Sequence, residues 1–358
     1  MGSLKNYAEA FDARLQQVNT VAPKVSVIVT NYNYANYVID CLQSVGAQDY
    51  PAIECVIVDD CSQDGSVERI QNFIANDKSP VAFKLIAHES TKGQYSAFRT
   101  GMVHTDGAFV CFLDADDLLL PDFVSEHVRM HLSRPPVAFT SSNQYQIDST
   151  GQVIGGVHPD LCTRSTVRIA NTISLHRPFW IWATTSSMMF RRTVLGYVLS
   201  NADESFRQCA DNYVCHFSNL LGGSILIPAV LGCYRRHQQN TFSTNPLIGG
   251  RLPTGDMRNH PTHEAVVRHI EERLLECNQQ FIALLGVDGF LHTLARVTPW
   301  SGLRRIRGML QQADGFGGRG SLRLFQFSIW LYFRTIVRTL KKWPPSVSFG
   351  DLDHVEQK

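Results

Sequence analysis

Three carboxylates arrive together in Asp114-Ala115-Asp116-Asp117, directly after the apolar run Phe109-Val110-Cys111-Phe112-Leu113. An apolar run of strand length that ends in charge reads as a buried strand delivering acidic groups to its carboxyl-terminal end. Carboxylates packed this closely raise one another's pKa unless a cation sits among them or each finds hydrogen-bond donors. A hard divalent cation is the simplest remedy. Mg²⁺ or Mn²⁺ takes one or two protein carboxylates and completes its octahedron with water and phosphate oxygens, so the cluster suits a nucleoside diphosphate better than a closed metal cage. The competing reading is an acidic loop in which Asp117 caps a helix starting near Pro121.

Earlier in the chain, elements of the right kind stand ready to position this cluster. Val25 to Thr30 predicts a buried strand ending in the polar turn Asn31-Tyr32-Asn33, and Glu54 to Val58 predicts another, stopped by Asp59-Asp60-Cys61-Ser62. Phe83 to Ala87 is a third strand and Phe109 to Leu113 a fourth. Helices intervene: one carries Val38, Leu42 and Val45, the next Val67, Ile70 and Ile74, and the last runs from Gly93 to Met102. Four strand-helix alternations predict an α/β fold, a parallel sheet with right-handed crossovers and helices on both faces. Ligands of such sheets bind outside the carboxyl ends of the strands, where strand order reverses. Thr30 to Asn33, Asp59 with Asp60, and Asp114 to Asp117 would converge there and outline a nucleotide site.

The second half is less regular. A helix is expected from Pro121 to Arg134, a strand over Val137 to Thr140 and irregular loops over 141–178. Phe179 to Trp182 reads as a partly exposed aromatic rim, followed by a buried strand within Ser186 to Arg192. Tyr213, Phe217, Leu220 and Leu221 place a helix directly after Asp211, and the strand Ile225 to Leu231 leads into Cys233-Tyr234-Arg235-Arg236-His237. Before this core, residues 1–22 form an amphipathic helix on Leu4, Tyr7, Phe11, Leu15 and Val18. After it, 246–262 is a Pro/Gly-rich linker and 263–358 is helical.

The 358 residues, 44% of them hydrophobic, suffice for one large or two modest domains. A formal net charge of +1 gives no overall field for nucleic acid. Nine cysteines without a Cys-x-x-Cys pair favour reduced thiols over a disulfide framework or a zinc site, and no apolar run approaches the roughly 18 residues of a spanning helix. The expectation is a cytoplasmic protein, not integral to a membrane.

Val27 to Asn33, then Val58-Asp59-Asp60-Cys61-Ser62-Gln63-Asp64-Gly65-Ser66, then Phe112 to Asp117, then Tyr234-Arg235-Arg236-His237 resemble, in that order, glycosyltransferase family 2, the large inverting family with the GT-A fold. The resemblance covers about 23–245, a nucleotide half over 23–120 and an acceptor half over 121–245. It implies Thr30 and Tyr32 beside the nucleobase, Asn33 and Asp59 holding the nucleotide, and Asp60 accepting the ring N–H that distinguishes uracil or thymine. It implies Gly93 at the donor, Asp114 near the ribose, Asp116 with Asp114 on a Mn²⁺ or Mg²⁺ that bridges the diphosphate, and Arg235, Arg236 or His237 near the donor phosphates. The family's base lies in a Glu-Asp pair opening a helix. Here the pair reads Ala210-Asp211, so Asp211 is the base, with Asp203 and Glu204 in reserve. One of Trp180 and Trp182 would offer an acceptor platform on which sugar C–H faces stack, with packing in the core as the competing reading, and Thr184 to Ser187 a run of hydroxyls. Thr91 and Arg99 depart from the asparagines that many members have around the glycine corresponding to Gly93.

The implied activity is inverting transfer from a UDP- or dTDP-sugar to a saccharide or lipid-linked saccharide, in bacterial surface polysaccharide synthesis. Two rivals stand beside it. A phosphatase of the haloacid dehalogenase type needs Thr or Val two residues beyond the second Asp, where Leu118 stands, and a non-catalytic sugar-nucleotide-binding paralogue is favoured by the missing Glu. Residues 321–343 predict a helix with Arg323, Gln326, Arg334, Arg338 and Lys341 along one stripe. That helix would lie on the inner face of the plasma membrane, or pack on the catalytic domain or a second subunit of a homo-oligomer.

Overall fold

A computed structural model describes residues 22–133, 136–155, 167–169, 175, 180–200, 210–237, 240 and 261–298. The expectations for the N-terminal helix, for Asp203 and Glu204, for the linker up to residue 260 and for the basic tail lie outside the described residues.

The nucleotide half follows the predicted alternation: β1 (Val25–Asn31), α1 (Val38–Gly46), β2 (Ile53–Asp59), α2 (Ser66–Asn76), β3 (Ala82–Ala87), α3 (Gln94–Val103) and β4 (Phe109–Asp114). These strands lie parallel in the order β3-β2-β1-β4, so strand order reverses between β1 and β4. Successive β1 side chains enter opposite cores because strand side chains alternate between faces. Val27 and Val29 join Val38, Leu42 and Val45 of α1, while Ile28 joins Phe98 of α3 and Phe112 of β4. Gly101 brings α3 directly onto β1, where a Cβ would come within 2.2 Å of the Ile28 side chain.

The sheet then continues as a mixed one. β5 (Leu118–Leu119) and α4 (Phe123–Ser133) precede β6 (Phe139–Ile147), β7 (Val153–Gly155) and β8 (Val167–Ile169). A 3-10 turn over Thr185–Ser187 leads into β9 (Met188–Arg191) and α5 (Arg192–Val198), and then come α6 (Ala210–Gly222) and β10 (Ser224–Arg235). β9 inserts antiparallel between β4 and β6, β10 runs parallel to β6, and β5 closes the edge antiparallel to β10. The loops expected over 141–178 are corrected here, because β6 extends to Ile147 and β7 and β8 pair with β6 and β10. The hydrophobic pattern concealed this strand. Ser141, Ser142, Asn143 and Gln144 are all buried in it.

Beyond the sheet, α7 (Pro261–Glu276) and α8 (Asn278–Val297) place Val266, Ile270, Leu274, Phe281 and Phe290 in the same core as Tyr213 and Phe217 of α6. The rings of Phe217 and Phe281 lie 5.6 Å apart. Among the described residues no helix is long and apolar enough to cross a membrane.

Candidate active site

The three predicted strand ends meet. Thr30 of β1 pairs with Asp114 of β4 in the sheet register, and the Thr30 hydroxyl donates to Asp114 Oδ1 at 3.2 Å. On the other side Asn31 pairs with Asp59, whose Oδ2 accepts Asn31 Nδ2–H at 2.6 Å and whose Oδ1 accepts the Ser62 N–H at 2.9 Å. Asp59 thus ties the β1 and β2 turns together. Asn33, in the left-handed region with φ 60°, accepts the Gln63 N–H at 2.8 Å. Held between these bonds, Tyr32 stays 49% exposed, free to face a planar ring.

Asp60 is buried beneath the opening of α3. Its Oδ1 accepts the Lys92 N–H and its Oδ2 the Gly93 N–H, both at 2.8 Å. Gly93 has φ 87°, a conformation that glycine adopts without strain, and this aims two successive amides at one carboxylate.

Around Asp116 the chain gathers from far apart. Its Oδ2 lies 2.9 Å from His237 Nε2 and accepts Asn240 Nδ2–H at 2.9 Å. The His237 ring stacks on Tyr37 with centroids 4.6 Å apart and meets the edge of Tyr34 at 5.6 Å. Asp114 is pushed up to about 7 by burial first, then by the charges of Asp116 and Asp211. Asp117 is raised well above the carboxylate range by burial, then by Asp116 and Asp114. Asp117 caps no helix, since α4 starts only at Phe123, and instead accepts the Arg235 N–H at 2.9 Å.

Asp211 opens α6 on the opposite side of the cluster. Its Oδ2 accepts the Thr185 hydroxyl at 3.2 Å and its Oδ1 the Asn212 N–H at 2.8 Å, and burial raises its pKa. Ser186, next along the 3-10 turn, accepts the Asp114 N–H at 3.1 Å. Gln94 links Asp114 to the start of α6, because its Oε1 accepts the Ala210 N–H at 2.9 Å and its side chain also hydrogen-bonds Asp114.

Residues 26–195 match the family described as glycosyl transferase family 2. Residues 26–195 belong to that family. An uncharacterized glycosyltransferase of Nostoc, alr2836, is 31% identical over 223 residues, 61% of this chain and 66% of that protein. The putative teichuronic acid biosynthesis glycosyltransferase TuaG of Bacillus subtilis is 32% identical over 112 residues, 31% of this chain and 43% of TuaG. The match therefore spans less than two thirds of either relative. In fold, the chain is similar to S. aureus TarS 1-349 in complex with UDP-GlcNAc, with a TM-score of 0.52 at 16% identity over 84% of this chain and 79% of that one. The transferase domain has the GT-A fold.

Two of the candidate residues are placed otherwise than expected. Arg235 is buried, with its guanidinium committed to protein: Nε–H donates to the Asp116 carbonyl at 2.8 Å, Nη1 to the Ser149 carbonyl at 3.3 Å and Nη2 to Asp40 at 3.1 Å. Such a group braces the acidic loop rather than waiting for phosphate. Trp182 is wholly buried and donates its indole N–H to Ser224 at 3.0 Å, so neither ring face is left for a sugar. Trp180 meets it edge to face at 5.3 Å and remains half-buried. Arg236 donates to Gln146 at 3.2 Å.

Gln94, His88, Tyr37 and Asn240 belong to the site and went unread in the sequence. Gln94 had a signal, as the residue directly after the turn glycine at a helix start. Asn240, three residues past His237, and Tyr37, a ring just before α1, had none.

The residues present fit a divalent cation. Among the described residues no three His, Cys, Asp or Glu side chains form a ready-made cage. Asp116 and His237 offer one carboxylate oxygen and one imidazole nitrogen side by side, next to the carboxyls of Asp114 and Asp117, whose pKa values are raised by burial first and then by the neighbouring carboxylates. An open site of this kind leaves coordination positions for water and phosphate.

Proposed function

We propose that this chain is an inverting glycosyltransferase that moves a sugar from a UDP- or dTDP-sugar onto a saccharide or lipid-linked saccharide acceptor, with Mn²⁺ or Mg²⁺ held by Asp116, His237 and Asp114. The observation that carries the reading is the β1-β4 register, which sets Thr30 against Asp114 at the point where strand order reverses, with Asp116 and His237 beside it. The UDP-GlcNAc complex of the structurally similar TarS supports a UDP-linked donor. The name of TuaG supports a surface polysaccharide as product.

In this reading Tyr32 and Asp60 bind the base, Thr30, Asn33 and Gly93 shape the nucleoside end, and Asp114 meets the ribose. The bound cation supplies Lewis-acid stabilisation of the charge that grows on the departing diphosphate. Arg236 adds a guanidinium at the rim of the same loop.

Asp211 takes the proton of the acceptor hydroxyl. The hydroxyl oxygen forms a bond to the anomeric carbon as the bond from that carbon to the diphosphate breaks on the opposite face, and the nucleoside diphosphate leaves with that electron pair. Burial raises the Asp211 pKa toward the working range of a base, and the first turn of α6 together with Thr185 fixes its direction. Gln94 keeps Asp211 in register with the donor site by holding the Ala210 N–H. Trp180 is the acceptor platform that the fold leaves half-open.

The domain limits expected from the sequence, a transferase domain over 23–245 and a helical region from 263, belong to this proposal, as do a cytoplasmic location and contact of residues 321–343 with the membrane surface. Flotation with anionic liposomes tests the last point: the full chain should bind in low salt and a chain ending at Gly320 should not. A second reading, binding without transfer, draws on Ala210 in place of the family's Glu. Incubating the protein with UDP- and dTDP-sugars, Mn²⁺ and a panel of saccharide acceptors decides between them. Release of nucleoside diphosphate coupled to acceptor glycosylation supports transfer, and saturable donor binding with no turnover on any acceptor or on water favours the second.

A further inference from the structure

We propose that His88 is a positioning residue for nucleobase recognition, holding the Asp60 carboxylate so that its one remaining acceptor position selects a ring N–H. This rests on the nucleotide-sugar reading above and goes beyond it by naming what sets base preference.

β2 and β3 are parallel neighbours with Asp59 opposite Ala87, and Asp60 and His88 each stand one residue past these strand ends. The His88 N–H donates to the Asp59 carbonyl at 2.8 Å, which fixes the two side chains next to each other. His88 Nδ1 lies 2.8 Å from Asp60 Oδ1, and Nε2 lies 2.8 Å from the Thr100 hydroxyl on α3. An ionised carboxylate only accepts hydrogen bonds, so Nδ1 carries the proton. In the neutral ring Nε2 is then the acceptor and the Thr100 hydroxyl donates to it. Asp60 and His88 are both buried, at 6% and 8% exposure.

An ionised carboxylate offers about four acceptor positions. Oδ1 of Asp60 receives two donors, His88 Nδ1–H and the Lys92 N–H, while Oδ2 receives only the Gly93 N–H. One position on Oδ2 is left. Its direction is set by a strand end, because the Asp60 N–H donates to the Asn31 carbonyl at 2.9 Å, immediately before Tyr32. A single acceptor suits the lone N3–H of uracil or thymine. Cytosine presents a lone pair at N3 and would face the carboxylate with repulsion. Guanine presents two adjacent donors and needs both oxygens, one of which His88 and Lys92 fill. Removing His88 frees Oδ1 and lets the carboxylate turn, so discrimination falls even though Lys92 and Gly93 still hold it.

Calorimetric titration of UDP, CDP and GDP into the full chain and its variants tests this. The wild type should prefer UDP over CDP by about 10²-fold or more, since a site built around a ligand N–H rejects the analogue that lacks it. His88→Ala should cut that ratio about 10-fold and gain relative affinity for GDP, His88→Gln should restore it through its amide N–H, and Thr100→Val should lower it less than His88→Ala does. A purely structural role would weaken all three nucleotides alike and leave the ratios unchanged. Unchanged ratios in His88→Ala overturn the proposal, and if that variant fails to fold, unchanged ratios in Thr100→Val do so. A wild type that binds UDP without preference over CDP also overturns it, while a wild type that binds none of the three overturns the nucleotide-sugar reading beneath it.

Discussion

His237 reaches Asp116 across 121 residues of chain, with its Nε2 2.9 Å from the carboxylate. The contact joins the end of β10 to the end of β4, and it turns an acidic loop into a mixed oxygen and nitrogen donor set. Tyr37 stacked on the imidazole limits the ring's rotation, and Asn240 shares the same carboxylate oxygen.

Asp211→Asn separates the base from its surroundings. Asparagine keeps the size, its Oδ1 can still accept the Asn212 N–H while its Nδ2–H donates to the Thr185 hydroxyl, yet it takes no proton from an acceptor. Transfer should fall by roughly 10²- to 10⁴-fold with UDP affinity unchanged. Steady-state kinetics beside calorimetry checks this, and near-normal turnover would move the base elsewhere.

Arg235→Lys distinguishes bracing from phosphate binding. The guanidinium reaches Asp116, Ser149 and Asp40 at once and lies 5.1 Å over the Tyr37 ring. A lysine cannot reproduce that fork, so the variant should lose about 1–3 kcal/mol of stability in urea unfolding through unsatisfied buried carbonyls. If Arg235 served the diphosphate instead, stability would be kept and UDP affinity would drop.

Asp114 gives the cation-free protein a pH signature. Its folded pKa of about 7 exceeds the roughly 3.9 of an unfolded carboxyl, so between those limits the folded chain holds a proton that the unfolded chain has released. This group's contribution to stability therefore grows as pH falls from 7 toward 4 and is lost as pH rises through 7. In EDTA, Asp114→Asn should melt above the wild type at pH 8, and the gap should narrow steadily from pH 7 to pH 5. Thermal unfolding at pH 5, 6, 7 and 8 reads this directly, and a gap that widens toward acid contradicts it.

Much of the donor half was legible because its strands are apolar runs that end abruptly in Thr30, Asp59 and Asp114. Burial on both faces removes polar residues from such strands, and chemistry resumes at their ends. β6 was illegible beyond Thr140 for the opposite reason. Its Ser141, Ser142, Asn143 and Gln144 are buried with hydrogen bonds in place of apolar packing, as when the Ser142 hydroxyl donates to the Ser187 carbonyl at 3.3 Å, and a hydrophobic pattern does not register them. Arg235 and His237 are two residues apart and look equally suited to phosphate. β10 ends at Arg235, whose side chain is buried in the core, while His237 lies past the strand end and meets Asp116. Trp182 misled because an indole beside a polar run reads as a rim, whereas Ser224 satisfies its N–H in the interior.

The central claim is a donor site built on a divalent cation at Asp116 and His237. UDP titrated calorimetrically into the wild type, Asp116→Asn and His237→Ala, each with Mn²⁺ and again with EDTA, tests it most directly. The account predicts that the wild type binds UDP at least about 10-fold more tightly in Mn²⁺ than in EDTA, and that both variants bind at the wild type's EDTA level whether or not Mn²⁺ is present, because the lost interaction runs through the cation. Equal Mn²⁺-dependent tightening in all three proteins would contradict it.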